Sequence, residues 1–434
     1  MCELGKHRCG DVCVPDDSPL TCGSRCVPCP APDGGEPTCV AGACRFTCAA
    51  GLVLCVDGCC PPARVIDIAA GGDRTMAIVE DGGVRSWGSY SFRLGPVPFG
   101  MTIRPGDVPL EVPAAPPSRS ISVGDAHHCV LHVDGGASCW GDNLAGEVGT
   151  SEVGFHLDPV TVEWGPGWPP NDRAASISAG SSTTCILGTS GAAGCWGRVS
   201  NNGLRGTGSL SNAWAPSPAQ GLASGVVALS HSANHALALL EDGGVVGWGA
   251  NESGTVVSAP TPLRYLTPVR PGPLPDTVFP VQVSAGTNHS CALAGDGGVW
   301  CWGTNQYGEC GVPPITTRPF ILPEPVSVAG LPGDVTAVMA CNFFTCALTR
   351  SGSVWCWGRN QGGQLGDGTM TDRYTPAEAT GFEAPVTKLE CGNFHACALD
   401  ADAGVWCWGS NMSGQLGLGA GVTSRPTPTR VPVP

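Results

Sequence analysis

From residue 65 onward, apolar and polar positions alternate in short runs such as Val281, Val283 and Ala285, the pattern of a half-buried strand. A second run carries Cys291-Ala292-Leu293, Asp296-Gly297-Gly298 supplies a turn, and Val299-Trp300-Cys301-Trp302 returns. Tight hairpins demand positive φ, which Gly and Asp tolerate, so the stretch predicts an antiparallel hairpin. A fourth strand is predicted later in the unit, as at Glu324-Pro325-Val326-Ser327-Val328. Four short strands per unit make a propeller blade.

The unit recurs seven times. Trp-Gly pairs at Trp87, Trp140, Trp196, Trp248, Trp302, Trp357 and Trp408 stand 53, 56, 52, 54, 55 and 51 residues apart. Residues 65–434 number 370, about 53 per copy, so the array fills the region, and a fixed period of this length signals a solenoid or propeller. The predicted fold class is all-β: a seven-bladed β-propeller of four-stranded blades at residues 63–434, preceded by a small disulfide-rich module at residues 1–62. The first unit starts at Val65 without a preceding strand of the Pro-Val-x-Val type, whereas Thr427 to Val433 is such a strand left over at the end. This C-terminal segment is therefore expected to complete blade 1 and remove the open sheet edges.

Composition agrees with an all-β chain. Charged residues are only 13%, and the 64 Gly and 40 Pro fall at regular intervals rather than in tracts. A net charge of −14 with no run of Lys or Arg argues against nucleic acid as a partner, which needs a basic face. The apolar stretches are shorter than the roughly 20 residues that cross a bilayer.

Cysteine changes the picture more. Twenty-five of them imply an oxidising compartment. Residues 2–60 hold twelve and almost no long apolar side chains, so disulfides must hold that module. Its Cys26-x-x-Cys29 lacks the second pair or the histidines that a zinc site needs. In the repeats, Cys129/Cys139, Cys185/Cys195, Cys291/Cys301, Cys346/Cys356 and Cys397/Cys407 flank the hairpins, ten residues apart. Two units lack both members, having Met76/Ser86 and Leu237/Gly247 instead. Joint loss is what a bonded pair predicts, and positions symmetric about a hairpin reach disulfide distance. Cys310 takes the place of Leu365 and Leu416, while Cys341 and Cys391 are placed to bond between adjacent blades. An odd total leaves at least one thiol unpaired or intermolecular.

The segments Asn360 to Gly366 and Asn411 to Gly417 read Asn-x-x-Gly-Gln-Leu-Gly. Together with the Gly-x-x-His, Ala-Leu, Gly-x-Val-x-x-Trp-Gly pattern, they resemble the regulator-of-chromosome-condensation repeat family over residues 65–434. The resemblance implies a seven-bladed propeller with an axial channel, and its Cys-paired variety is similar to repeats of exported bacterial proteins. The founding member's nucleotide exchange on a small GTPase and its chromatin binding are not carried over, because charge and compartment disagree. A secreted β-lactamase inhibitor of the family is closer in compartment, but its loop residues do not map here.

No catalytic motif stands out, and no cofactor is expected. His127, His235, His289 and His395 share one repeat position, and four imidazoles about an axis would suit a metal. Arg74, Thr183 and Phe344 break that ring, so each His is expected to satisfy backbone groups of its own blade, as the resemblance suggests. Asp81, Asp134, Asp242, Asp296 and Asp402 are expected as turn formers. Trp164, Trp168 and Trp214 lie outside the repeat positions, the first two on a Pro-rich loop that would display both indoles, and are the candidate partner-binding residues; the alternative is that they fold back over a blade edge. The expected function is an exported, monomeric, disulfide-stabilised scaffold that binds a protein, or a glycan, through inter-blade loops. The alternatives are a hydrolase or lyase at the channel mouth and a structural surface or adhesion protein. The expected location is secreted or at the cell surface. The chain opens Met1-Cys2-Glu3-Leu4-Gly5 without an apolar segment, so Met1 is expected to stand in place of an export signal.

Overall fold

A computed structural model describes residues 61–88, 116–198, 202–256, 262–270, 274–275, 277–318, 320–419 and 421–434, and the backbone of strands at 6–9, 12–15, 35–40, 43–48, 53–55, 58–60 and 106–112. The chain divides into two compact units, Met1–Arg64 with Pro432–Pro434, and Val65–Val431. In the first unit, Lys6–Cys9 pairs with Val12–Pro15, Gly35–Val40 with Ala43–Cys48, and Val53–Cys55 with Gly58–Cys60. The cysteine bonding expected in residues 2–60 lies outside the described residues. No helix among those described is long and apolar enough to cross a membrane.

The second unit is a seven-bladed propeller. Four-stranded sheets succeed one another at 65–112, 118–161, 174–218, 226–269, 280–327, 335–379 and 386–431, here blades 1 to 7. Within each, strands pair antiparallel in sequence order, the first lining the axis and the fourth lying outermost.

Blade 1 corrects the sequence expectation. Its outer strand is Gly106–Val112, from its own repeat, paired through Val112 with Val84. The C-terminal strand Ser424–Val431 instead lies in blade 7, with Val405 opposite Val431 and Gly409 opposite Arg425. Each repeat runs from inner to outer strand without a phase shift, so no strand is left over. The terminal strand pairs with the neighbour from which one loop separates it, the connection of least closure entropy.

Hairpins form where the residues dictate. In blades 1, 2, 4 and 5 the carboxylates of Asp81, Asp134, Asp242 and Asp296 accept the amides of Gly83, Gly136, Gly244 and Gly298 at 2.7–2.9 Å. Blade 7 departs from this pattern. Asp400, not Asp402, accepts Gly404 N at 2.7 Å, and its other oxygen accepts the Trp406 indole N–H at 2.7 Å. Asp400 thereby takes over the turn, and Ala403 adopts φ 63° at the corner where the other blades have Gly.

The core is a set of inter-blade layers, each sealed by one repeat tryptophan. All seven indoles are at most 2% exposed. Trp248, Trp302, Trp357 and Trp408 each donate Nε1–H to a carbonyl of the preceding blade: Leu204, Thr255, Glu309 and Gln364, at 2.7–2.9 Å. One residue thus supplies apolar area and a fixed register between blades.

The hairpin cysteines belong to these layers and not to the surface. Cys129 faces Cys139 in blade 2, Cys185 faces Cys195 in blade 3, and Cys291 faces Cys301 in blade 5. Cys346 faces Cys356 in blade 6, and Cys397 faces Cys407 in blade 7. Each pair stands at disulfide distance, with Cα atoms 4.0–4.1 Å apart. All ten sulfurs are fully buried, so these residues brace the scaffold and present nothing to a partner. Met76 faces Ser86, and Leu237 faces Gly247, in the same register. In blade 4, Leu237 fills the volume a second sulfur would take: a Cβ on Gly247 would lie 3.0 Å from Leu237 Cδ2.

Candidate interaction surface

The loop after blade 2 is held at both ends by backbone bonds: Val162 N donates to Ala137 O at 2.9 Å, and Ala174 N to Gly135 O at 3.0 Å. It lies against the outer strand of blade 3, Ala213–Pro218, so closely that a Cβ on Gly165 would stand 2.4 Å from the Pro216 carbonyl oxygen. Trp168 does not reach the surface as expected. It is 8% exposed, packed in a core cluster with Val148, Val162 and Trp196 between blades 2 and 3. Apolar surface on the blade 3 side draws the indole inward. Trp164 stacks on it at 5.4 Å between ring centroids and remains 40% exposed. Trp214, on the blade 3 outer strand, is 50% exposed, and its Cα lies against Gly146 of blade 2. Two of the three candidate tryptophans therefore line one outer seam, and the third anchors Trp164. Phe155 and Leu157 are exposed on the outer strand of blade 2.

The four repeat histidines do not form an axial ring. Each reaches into the next blade: His127 Nε2 to Thr184 Oγ1 at 2.7 Å, His235 to Ser290 Oγ at 2.7 Å, His289 to Thr345 Oγ1 at 2.8 Å, and His395 to Thr75 Oγ1 at 2.9 Å. The hydroxyls in turn donate back to Glu147, Thr255, Glu309 and Gln415 carbonyls at 2.8–3.0 Å. A hydroxyl has one proton, already given to a carbonyl, so it accepts from His Nε2–H, which fixes the neutral tautomer. Burial pushes these rings far below the ordinary histidine range, to about 3 for His127 and His235 and about 4 for His289 and His395. The expectation that each His serves its own blade's backbone is corrected: its ring latches adjacent blades. Among the described residues no His, Cys, Asp and Glu cluster suits a metal ion.

Residues 108–434 match the RCC1-like domain, and residues 65–92 match the regulator of chromosome condensation (RCC1) repeat. The chain belongs to the RCC1-like family. It is similar to the ultraviolet-B receptor UVR8 of Arabidopsis thaliana, 27% identical over 72% of this chain and 70% of the receptor. A stretch covering 32% of the chain is 37% identical to the probable E3 ubiquitin-protein ligase HERC4 of Rattus norvegicus, of which it spans only 13%. Among solved structures, Prp20p of Saccharomyces cerevisiae superposes with a TM-score of 0.71 at 21% identity, covering 82% of this chain and 87% of Prp20p. Human WBSCR16 gives 0.69 at 22%, covering 81% and 95%.

In this RCC1-like propeller the inner strands enclose an axial cavity of about 410 Å³. Ser122, Ser230 and Ser284 on its wall accept amides of the next blade, Ala179, Ala285 and Ala340, at 2.8–2.9 Å. Where blade 7 meets blade 1, Lys388 bonds Asp67 and the Ile68 carbonyl and sits 3.2 Å from Glu390. Burial raises the Glu390 carboxyl despite that lysine. Burial would lower Lys388, but Glu390 and Asp67 outweigh it and hold the ammonium above its ordinary range. Polar groups of the wall thus tie blade to blade. Cys341 and Cys391 stand at bonding distance between blades 6 and 7, and Cys310, buried, is the free cysteine among the described residues.

Sequence reading missed the hydroxyl partner of each His, yet the repeats carry its signal. The partner is the residue just before the hairpin Cys position in the next copy. Where the His is replaced by Thr183 or Phe344, the next copy has Ala236 or Ala396 in place of a hydroxyl. Arg74 is likewise followed by His128.

Proposed function

We propose that this RCC1-like propeller is a disulfide-stabilised scaffold of an oxidising compartment whose protein partner docks on the outer seam of blades 2 and 3. The observation that carries the reading is the pair of exposed indoles, Trp164 stacked on buried Trp168 and Trp214 on the blade 3 outer strand against Gly146. Large aromatic side chains on pre-ordered backbone give contact area at small entropic cost, the usual anchor of an interface. Prp20p, which shares the fold, is a protein characterised by its binding to Gsp1p and histones. The five hairpin cysteine pairs and the cysteine-rich first unit support the compartment.

The test is cross-linking in the native host with the wild-type chain and with W164A/W214A. Both indoles are half-exposed, so the variant is expected to melt within a degree or two of wild type. Loss of a specific cross-linked partner at unchanged stability supports the seam; the same partners captured by both chains counts against it.

A further inference from the structure

The seam has a charge as well as a shape. Residues 142–218 contain six carboxylates, Asp142, Glu147, Glu152, Asp158, Glu163 and Asp172, against three Arg and no Lys. Glu152, Asp158 and Glu163 are exposed, each next in the chain to an exposed apolar residue, Val153, Leu157 or Trp164. Among the described residues none of these three carboxylates has an ion-pair partner. Two of the local guanidiniums are engaged by backbone or hydroxyl: Arg205 by Ser211 O at 2.9 Å and Ser217 Oγ at 3.1 Å, and Arg173 by Asp134 O at 2.6 Å. The third, Arg198, lies beside buried Glu147.

Resting on the docking reading above, we infer that the seam takes a cationic segment of its partner, with Lys or Arg interleaved with aliphatic or aromatic residues. Unpaired carboxylates such as Glu163, next to the exposed indole of Trp164, are desolvated by any cover of the seam, and only a covering cation compensates them. A second copy of this chain is disfavoured, because a two-fold contact would set the same three carboxylates against themselves on protomers of charge −14.

Anisotropy of fluorescein-labelled twelve-residue peptides on the full chain tests this. The probes are an Arg/Leu alternating peptide, its Glu/Leu counterpart and an Arg/Gln counterpart. The Arg/Leu peptide is expected to bind at least tenfold tighter than the other two, and less tightly at higher salt. W164A/W214A and E152Q/D158N/E163Q are each expected to weaken it about tenfold at unchanged melting temperature. If the tryptophan changes weaken binding and the carboxylate changes do not, the cationic inference falls while the docking reading stands. If only the carboxylate changes act, the peptide is held by charge alone and both fall, as they do if neither acts. A dimer in sedimentation that W164A/W214A abolishes, with no peptide bound, overturns the inference in favour of a second copy.

Discussion

His395 of blade 7 donates Nε2–H to the hydroxyl of Thr75 in blade 1 at 2.9 Å, across 320 residues of sequence. The ring therefore closes with the same latch that joins blades 2 and 3, 4 and 5, and 5 and 6, reinforced by Lys388 on Asp67 and by Asn393 N on Gly72 O at 2.9 Å. Gly392 is required beside it: a Cβ there would lie 2.3 Å from His395 Cε1.

Breaking one side of this latch strands a buried polar group, at a cost of about 1–3 kcal/mol. H395F and T75A are each expected to destabilise by that amount in urea melts. The double variant H395F/T75A reproduces the Phe344/Ala396 pair that blades 6 and 7 already use, so its loss should fall below the sum of the two. Additive losses would show that the latch is not a coupled pair.

Removal of residues 424–434 is expected to lower Tm by stripping blade 7. Amide exchange then distinguishes the two topologies. Protection should be lost at the amides of Val405–Ser410 that face the removed strand and persist at Arg85–Trp87 of blade 1, whose partner strand is Gly106–Val112. Loss at 85–87 alone would restore the closure expected from sequence.

Glu309 is buried, and burial raises its carboxyl to about 7. The repeat has Gln364 and Gln415 at this position, accepting the same backbone amide two residues earlier. A carboxyl raised in the fold contributes stability below its unfolded value of about 4.5 and loses it as pH climbs through 7. E309Q is therefore expected to be the more stable chain at pH 8, with the advantage shrinking toward pH 5. Equal melts at pH 8 would refute this.

The latching histidines have the opposite sign. Held near 3 to 4, they bind fewer protons folded than unfolded, so their contribution is intact above pH 6.5 and drains away as pH falls toward 4. Acid unfolding of H289L/T345A, which removes one latch from both sides, should be displaced to lower pH than wild type. A midpoint unmoved from wild type would contradict this.

Each hairpin cysteine pair closes a small loop, worth about 2–3 kcal/mol if bonded. C291S/C301S is expected to lose that much, and reductant, acting on all five pairs, should lower the wild-type melt further than that one double substitution does. An unchanged wild-type melt under reductant would mean that Cys129/Cys139 and its counterparts are thiols.

The repeat determined most of what the sequence shows. Its period, its alternation and its Asp-Gly turns are local, so seven blades, their hairpins and the five opposed cysteine pairs could be read from residues close in the chain. Trp-Gly spacing also marked the sealing indoles, because one bulky residue per blade must fill each inter-blade layer. What escaped depends on residues from different repeats. The outer strand of blade 1 escaped because Gly106–Val112 breaks the pattern of the other units, while the C-terminal strand resembles a leftover. The histidine latches escaped because a donor and its acceptor lie more than fifty residues apart, and a single chain shows them only as a correlated loss at Thr183/Ala236 and Phe344/Ala396. Nor does sequence divide Trp164 from Trp168. Both sit on one Pro-rich loop, and only the apolar cleft between blades 2 and 3 decides which ring is buried and which faces solvent.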